Sequence, residues 1–110
     1  MSFLKQYFEL TNDYKAKYGQ RTLVLMQCGA FFEVYAKKDD DGTIHGSNII
    51  EYCGITDLKR AYKSPGHITA GFRDYEIDRY VRKIQDNGIT TVVYEEYDTA
   101  TDGTKLRRLQ

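Results

Sequence analysis

One continuous apolar run constrains the fold of this chain more than any other feature. It occupies residues 21–28, "RTLVLMQC", and Gly29 interrupts the chain directly after it. A short, unbroken apolar run is typical of a β-strand covered on both faces, because a half-exposed strand would alternate polar and apolar residues. The sequence therefore predicts a strand inside a sheet that packs against other elements on each side.

Apolar side chains recur at helical spacing in two further segments. The first segment runs from residue 3 to about residue 17 and ends before Gly19, a stop signal. The second begins after Asp74, which is a good N-cap residue, and closes at Asn87 and Gly88. The predicted buried stripes are Phe3, Tyr7, Leu10 and Tyr14 in the first helix, and Ile77, Tyr80, Val81 and Ile84 in the second.

A short third helix is predicted between these two. Ser47 can cap it, Ile49 and Ile50 would face inward, and Gly54 would end it shortly after Tyr52. The sequence thus alternates helices and strands along its length.

The remaining segments read as strands and turns. Residues 31–36 and 89–97 have β-branched and aromatic side chains typical of strands, and residues 105–110 fit a final edge strand after a turn at 98–104. Residues 54–72 contain Pro65 followed by a glycine, which predicts loops and short strands. These elements predict an α/β (α+β) fold with a mixed sheet flanked by helices.

Length and composition narrow the function classes. A length of 110 residues predicts one domain, residues 1–110. Sixteen basic and sixteen acidic residues cancel, which argues against tight non-specific nucleic-acid binding by this chain alone. The sequence has no apolar stretch of membrane-spanning length and no signal-peptide core, so we expect an intracellular protein without a membrane partner.

The cysteines and histidines do not predict a metal site. Cys28 and Cys53 are far apart and belong to no C-x-x-C pair, and His45 and His67 lack ligand spacing. We expect Cys28 to be a small buried side chain, because it follows an apolar run.

Adjacent Phe31 and Phe32 raise a question of orientation. In a strand, Phe32 would share one face with Val34, and Phe31 would share the other with Glu33 and Tyr35. Burying the second set would bury a carboxylate, which is costly unless the carboxylate is paired. The pattern therefore predicts Phe31 and Glu33 side by side on an accessible surface, where a ring can stack on a flat partner and a carboxylate can accept a hydrogen bond from it. The alternative is that a helix covers both residues and a nearby Lys or Arg binds Glu33.

The segment "GAFFEVY" resembles the Gly-x-Phe-Tyr/Phe-Glu-hydrophobic-aromatic motif of the N-terminal mismatch-recognition domain of the MutS DNA mismatch repair family. Other segments resemble the same domain in the same order: "LKQY", "TLVLMQCG", "GITDLKR", "ITAGF" and "YVRKIQDNGITTVVYEE". Together they cover nearly the whole chain. The lead-in "YGQRTLVL" resembles most the divergent branch found in large DNA viruses and octocoral mitochondria.

The resemblance implies a role for each matched residue. Phe31 would stack on a mispaired or unpaired base from the minor groove, where the duplex kinks, and Glu33 would hydrogen-bond the same base. Arg60, the Arg of the Lys-Arg match, would approach the DNA backbone. Ile68 and Thr69 would occupy a turn near the minor groove. Wedge insertion suits a weakened base pair, because unstacking costs least there.

The resemblance also implies a larger protein. Its partners would be mismatched duplex DNA and the remaining MutS domains, in a dimeric protein whose ATPase uses ATP and Mg²⁺. This chain has no Walker A motif, so we expect it to be a non-enzymatic domain without a cofactor of its own. It departs from the family pattern at Ala30, where Asp is usual, and at Arg73, where many relatives have Pro. The tripeptide "TDL" also departs from the family pattern. These three differences bear on the predicted loop contacts with DNA more than on the predicted wedge role of Phe31.

Two other functions stay open at this stage. Phe31 could anchor a protein-interaction module. Residues 57–59, "DLK", have the D-x-K spacing of some metal-dependent nuclease strands, where the acid holds Mg²⁺ and the lysine supports the nucleophile. A DNA reader would bind without cutting, a nuclease would cut with Mg²⁺, and an interaction module would do neither.

Overall fold

A computed structural model describes residues 2–99 and 105–109 of the chain, and for residues 97–99 and 105–108 it describes the backbone alone. Three α-helices and seven strands occupy these ranges. The helices are α1 (Phe3–Tyr18), α2 (Ile49–Thr56) and α3 (Ile77–Asp86). The strands are β1 (Thr22–Cys28), β2 (Phe31–Lys38), β3 (Ile44–His45), β4 (Ala61–Ser64), β5 (His67–Arg73), β6 (Thr90–Thr99) and β7 (Lys105–Leu109).

The strands form one mixed sheet, as predicted. Six of them follow the order β4-β5-β2-β1-β6-β7, and the short β3 pairs with the end of β2. The β1–β6 pair is parallel, and the other pairs are antiparallel. The fold is therefore a single α+β domain, and the predicted edge strand near the chain end is confirmed as β7.

The helices cover the sheet on both faces, which explains the unbroken apolar run in β1. Helix α1 packs on β1 from one side, while α2 and α3 contact β2, β5 and β6 from the other. Alternate residues of β1 enter the two cores: Leu23 and Leu25 face α2 and α3, whereas Val24 and Met26 face α1. The prediction that this strand is covered on both faces is confirmed.

The two long helices lie close to their predicted positions. Ser2 caps α1, because its hydroxyl accepts a hydrogen bond from the Lys5 backbone amide at 3.1 Å, and Gly19 ends the helix with φ of 111°. Helix α3 ends before Asn87 and Gly88, and its predicted stripe packs into the core. Asp74 is not its N-cap, however. A 3₁₀ turn occupies Asp74–Glu76 and the α-helix begins only at Ile77.

Three details of the predicted short helix were wrong. Asn48 precedes the first residue of α2, and the Ser47 hydroxyl instead donates to the Tyr35 carbonyl oxygen at 2.5 Å. The helix passes through Gly54 and ends at Thr56, where Asp57 adopts a left-handed conformation. Ile50 is 56% exposed, because only one side of a two-turn helix can face the sheet.

The predicted turn at 98–104 falls partly outside the described residues. The first two of its residues continue strand β6, and the structure does not describe residues 100–104. No helix in the described ranges is both long enough and apolar enough to cross a membrane.

Candidate nucleic-acid interface

The two adjacent phenylalanines point in opposite directions. Phe32 is 3% exposed and packs with its ring centroid 6.0 Å from that of Phe72, under α3. Phe31 is 41% exposed on the other face of the sheet. The prediction that Phe31 is accessible and Phe32 buried is confirmed, and the period of two along a strand accounts for their opposite faces.

Side-chain and backbone hydrogen bonds brace the turn in front of Phe31. Gly29 has φ of 62°, a conformation that favours glycine, and its amide donates to the Glu96 carboxylate at 2.8 Å. The Gln27 side chain donates to the Gly29 carbonyl at 3.2 Å and accepts from the Glu96 amide at 2.8 Å. The Ala30 carbonyl accepts from the Asp74 amide at 2.8 Å. These contacts hold the start of β2 in place, and with it the exposed ring.

Helix α1 covers only part of the face that carries Phe31. Tyr35 lies on this face and is fully buried, in edge-to-face contacts with Phe3 at 5.4 Å and Tyr7 at 5.1 Å. Four residues earlier, Phe31 extends beyond the helix. Tyr35 shares the face of Phe31 but is not accessible, because a second core lies under α1.

Glu33 lies between these two positions and is half-buried. Its carboxylate accepts a hydrogen bond from the Thr69 hydroxyl at 3.0 Å. The same hydroxyl lies 3.1 Å from the Val34 carbonyl oxygen, and it has a single proton for two acceptors. Glu33 is thus paired within the domain, by Thr69 rather than by a salt bridge.

Gly71 makes room for the Glu33 carboxylate. It is the direct partner of Glu33 across the β2–β5 pair. A Cβ atom on Gly71 would overlap the Glu33 carboxylate and would lie 2.5 Å from the Phe32 carbonyl oxygen. The carboxylate therefore rests against bare backbone, a close approach that only glycine permits.

Burial raises the pKa of the Glu33 carboxyl above its ordinary value of 4.5. The hydrogen bond from Thr69 and the positive charge of Lys63 oppose this shift without cancelling it. A carboxyl with a raised pKa is more easily protonated, and the proton would let it donate to Thr69 while Thr69 donates to Val34.

Arg73 is the neighbour of Phe31 that sequence reasoning did not assign to the site. It is the direct partner of Phe31 on β5, and its guanidinium carbon lies 4.7 Å from the Phe31 ring centroid. This is a cation–π contact on an exposed surface. On β5, Arg73, Gly71 and Thr69 lie opposite Phe31, Glu33 and Tyr35 of β2. The sequence alone does not give this register, and with the register known Arg73 would have been assigned to the site.

The other predicted contact residues do not join this site on the surface. Ile68 and Thr69 lie in strand β5 and not in a turn, and the turn before them is at Pro65 and Gly66. Ile68 is 8% exposed and belongs to the core under α2 and α3, so its predicted place in a turn was wrong and its side chain offers little surface to a partner. Thr69 is buried and reaches the site only through Glu33.

Arg60 is exposed but lies on the other side of the sheet. It lines a surface cavity with Cys53 and Leu58, which belong to the α2 side. The structure therefore does not bring Arg60 together with Phe31 and Glu33. Cys28 is half-buried rather than buried, and its sulfur lies 3.0 Å from the Tyr35 hydroxyl.

The nuclease alternative finds no structural counterpart in the described residues. Residues 57–59 form a loop after α2 and not a strand, so the D-x-K match was wrong in its context. Among residues 2–96 and Leu109, whose side chains the structure describes, no cluster of three His, Cys, Asp or Glu side chains could hold a metal ion. Compared with known proteins, the chain matches no family model and no curated protein sequence.

Proposed function

We propose that this domain recognises mispaired or unpaired bases in duplex DNA, with Phe31 as the stacking wedge and Glu33 as the hydrogen-bonding partner of the displaced base. The observation that supports this proposal most is the pairing of an exposed aromatic ring with a half-buried carboxylate on one uncovered part of a sheet. The MutS-like motif around them supports the same assignment.

Phe31 suits a wedge because its ring is exposed while its backbone is held. The braced turn at Gly29 and the pairing of β2 with both β1 and β5 fix its position. Stacking of one base on an aromatic side chain is worth about 1–3 kcal/mol. Such an energy favours a base that has already lost its pairing, because an intact pair must first be unstacked.

Glu33 suits discrimination because a carboxylate is unfavourable beside an intact duplex. Phosphates repel it, and the bases of a perfect duplex are already paired. A displaced base can offer a donor to the carboxylate, and a hydrogen bond to a charged group is worth about 1.5–3 kcal/mol. Glu33 would thereby weaken binding to perfect DNA more than binding to a mismatch.

Arg73 adds a positive charge beside the wedge. Its guanidinium lies on the Phe31 ring, where it can hold the ring in one orientation and can reach a phosphate. The formal net charge of the chain is zero, so we expect weak DNA binding by this domain in isolation. The remaining domains of a dimeric, ATP-dependent MutS-like protein would supply the rest of the affinity.

Competition binding between mismatched and perfect duplex at one fixed salt concentration tests the proposal in the full-length protein. We expect Phe31→Ala to remove most of the mismatch preference, a loss of about tenfold for a stacking energy of this size. We expect Glu33→Gln to tighten binding to the perfect duplex while the preference shrinks. Tyr62→Ala is the matched control, because it removes another exposed aromatic from a strand and leaves the Phe31 site intact.

The outcomes separate the three candidate functions. An unchanged preference in Phe31→Ala would remove Phe31 from a DNA site and favour a protein-interaction surface, for which an exposed ring beside an arginine is also suited. DNA cleavage in the presence of Mg²⁺ would favour the nuclease. A fall in perfect-duplex affinity for Glu33→Gln would mean that Glu33 serves the fold through Thr69.

A further inference from the structure

A groove lies between the first half of α1 and the β2–β5–β4 side of the sheet. Its volume is about 900 Å³, which is within the range of ligand sites in proteins. Phe31 and Glu33 are not among its lining residues. The groove adjoins the proposed wedge site on the α1 side of the sheet, and its lining residue Lys63 is the cation whose charge acts on Glu33.

The walls of the groove are apolar, and its charged rim is mostly basic. Helix α1 contributes the half-buried Phe3 and Leu4 and the largely buried Phe8 to the walls, and the fully buried Tyr35 of β2 lies at the base. The charged lining residues are Lys5, Lys37, Lys63 and one acidic residue, Glu9, and the polar ones include His67. The rim thus has an excess of positive charge over an apolar interior.

Two of these lysines lie over aromatic rings. The Lys37 ammonium is 4.9 Å from the Phe8 ring centroid, and the Lys63 ammonium is 5.7 Å from that of Tyr35. Within the described residues, no carboxylate oxygen lies within salt-bridge distance of the Lys5, Lys37 or Lys63 ammonium group. Cation–π contacts on a surface are weak, so these cations can also pair with an arriving anion.

We propose that this groove binds an acidic peptide segment of a partner protein, with apolar side chains of the segment in the groove and its carboxylates at Lys5, Lys37 and Lys63. Charge complementarity selects the acidic partner. The apolar walls select a peptide over a nucleic acid, because DNA-binding surfaces are more polar than protein interfaces and bind phosphates without filling an apolar groove. This inference does not rest on the proposed DNA function.

The test is an NMR titration of the isotope-labelled full chain with a short blocked peptide of alternating aspartate and leucine. We expect saturable shifts at Leu4, Lys5 and Lys63, and weaker binding at higher salt. A peptide with asparagine in place of aspartate, and one with serine in place of leucine, should each bind at least about fivefold more weakly, since either removes one class of contact.

Charge variants locate the site. Lys37→Glu should weaken binding about fivefold or more, and Glu9→Gln should tighten it. Lys17→Glu is the matched control, because Lys17 also lies over an aromatic ring, Tyr18, at 5.2 Å, but outside the groove. Thermal melts of all three variants show whether the fold is intact.

Three results would overturn the proposal. The first is the absence of saturation at millimolar peptide, and the second is equal binding of the acidic and neutral peptides. The third is tighter binding of oligothymidylate than of the peptide at the same residues, which would make the lysines a nucleic-acid contact. The mismatch preference of Phe31→Ala, whether it is lost or kept, has no bearing on any of these three results. The two proposals can therefore fail separately.

Discussion

The two ends of β2 differ sharply on the face that α1 covers. Tyr35 is fully buried there among Phe3, Tyr7 and the second core, while Phe31 keeps 41% of its surface exposed. Both are aromatic residues on one strand with the same orientation. The difference comes from the helix, which covers one end of the strand and not the other.

This comparison separates two properties that strand alternation alone does not distinguish. The period of two decides which face a side chain takes, and it placed Phe31 with Tyr35 and opposite Phe32. How far a helix covers that face depends on long-range packing. Glu33 lies at the boundary between the covered and uncovered ends, and this explains why it is half-buried and hydrogen-bonded yet adjacent to an exposed ring.

The largest expected effect compares Phe32 with Phe31. Phe32→Ala should lower the free energy of unfolding by about 3–5 kcal/mol, because it leaves a cavity against Phe72 in a closely packed core. Phe31→Ala should cost about 1 kcal/mol or less, mainly from its contact with Arg73. Denaturant unfolding of both variants measures the difference, and equal large losses would mean that Phe31 is ordinary core.

Gly71 offers a smaller effect at the boundary itself. Gly71→Ala should lower the free energy of unfolding by about 1–3 kcal/mol, because the added Cβ overlaps the Glu33 carboxylate and the Phe32 carbonyl oxygen. Adding Glu33→Ala should relieve part of this cost. The matched control is Gly54→Ala, whose Cβ meets nothing within 4 Å and which should stabilise α2 by about 0.5–1 kcal/mol. A loss for Gly54→Ala equal to that for Gly71→Ala would contradict the role of close approach.

The sequence predicted elements with strong local signals and missed features set by packing. The apolar run of β1, the stripe of α1 and the Asn87–Gly88 stop of α3 each have a local cause, and each was predicted close to its position. Ile50 and Ile68 were placed wrongly, because the side of α2 that faces the sheet and the pairing of β5 with β2 are long-range properties.

The candidate site also divides into residues with a local cause in the sequence and residues placed by long-range packing. The face on which Phe31 lies follows from alternation in β2 alone, whereas its exposure depends on how far α1 covers that face. The partners of the site, Arg73 over the ring and Gly71 under the carboxylate, depend on the β2–β5 register, which fixes residues about forty positions apart. The pairing of Glu33 with Thr69 depends on the same register. The alternative, in which a helix covers both Phe31 and Glu33 and a Lys or Arg binds the carboxylate, was wrong, because Phe31 is exposed and the hydrogen-bond partner of Glu33 is a hydroxyl.

The smallest expected effect is the pH dependence that Glu33 gives to stability. Its folded-state pKa is raised above 4.5, so the folded protein binds a proton more readily than the unfolded chain does. The resulting stability is fully present at pH values below the unfolded pKa and is lost as pH rises through the raised folded pKa. In the protonated state the carboxyl can donate to Thr69 while Thr69 donates to the Val34 carbonyl, whereas the ionised state leaves two acceptors for one hydroxyl proton.

Glu33→Gln cannot ionise, so its stability relative to the wild type should increase from acidic to neutral pH. Denaturant unfolding of both proteins across this range measures the trend, with Glu9→Gln, which removes an exposed carboxylate at the rim of the groove, as the control. A constant difference in stability between wild type and Glu33→Gln across that pH range would mean that burial does not disfavour the charged form of Glu33. Glu33 would then belong, with Phe31, to the uncovered end of β2.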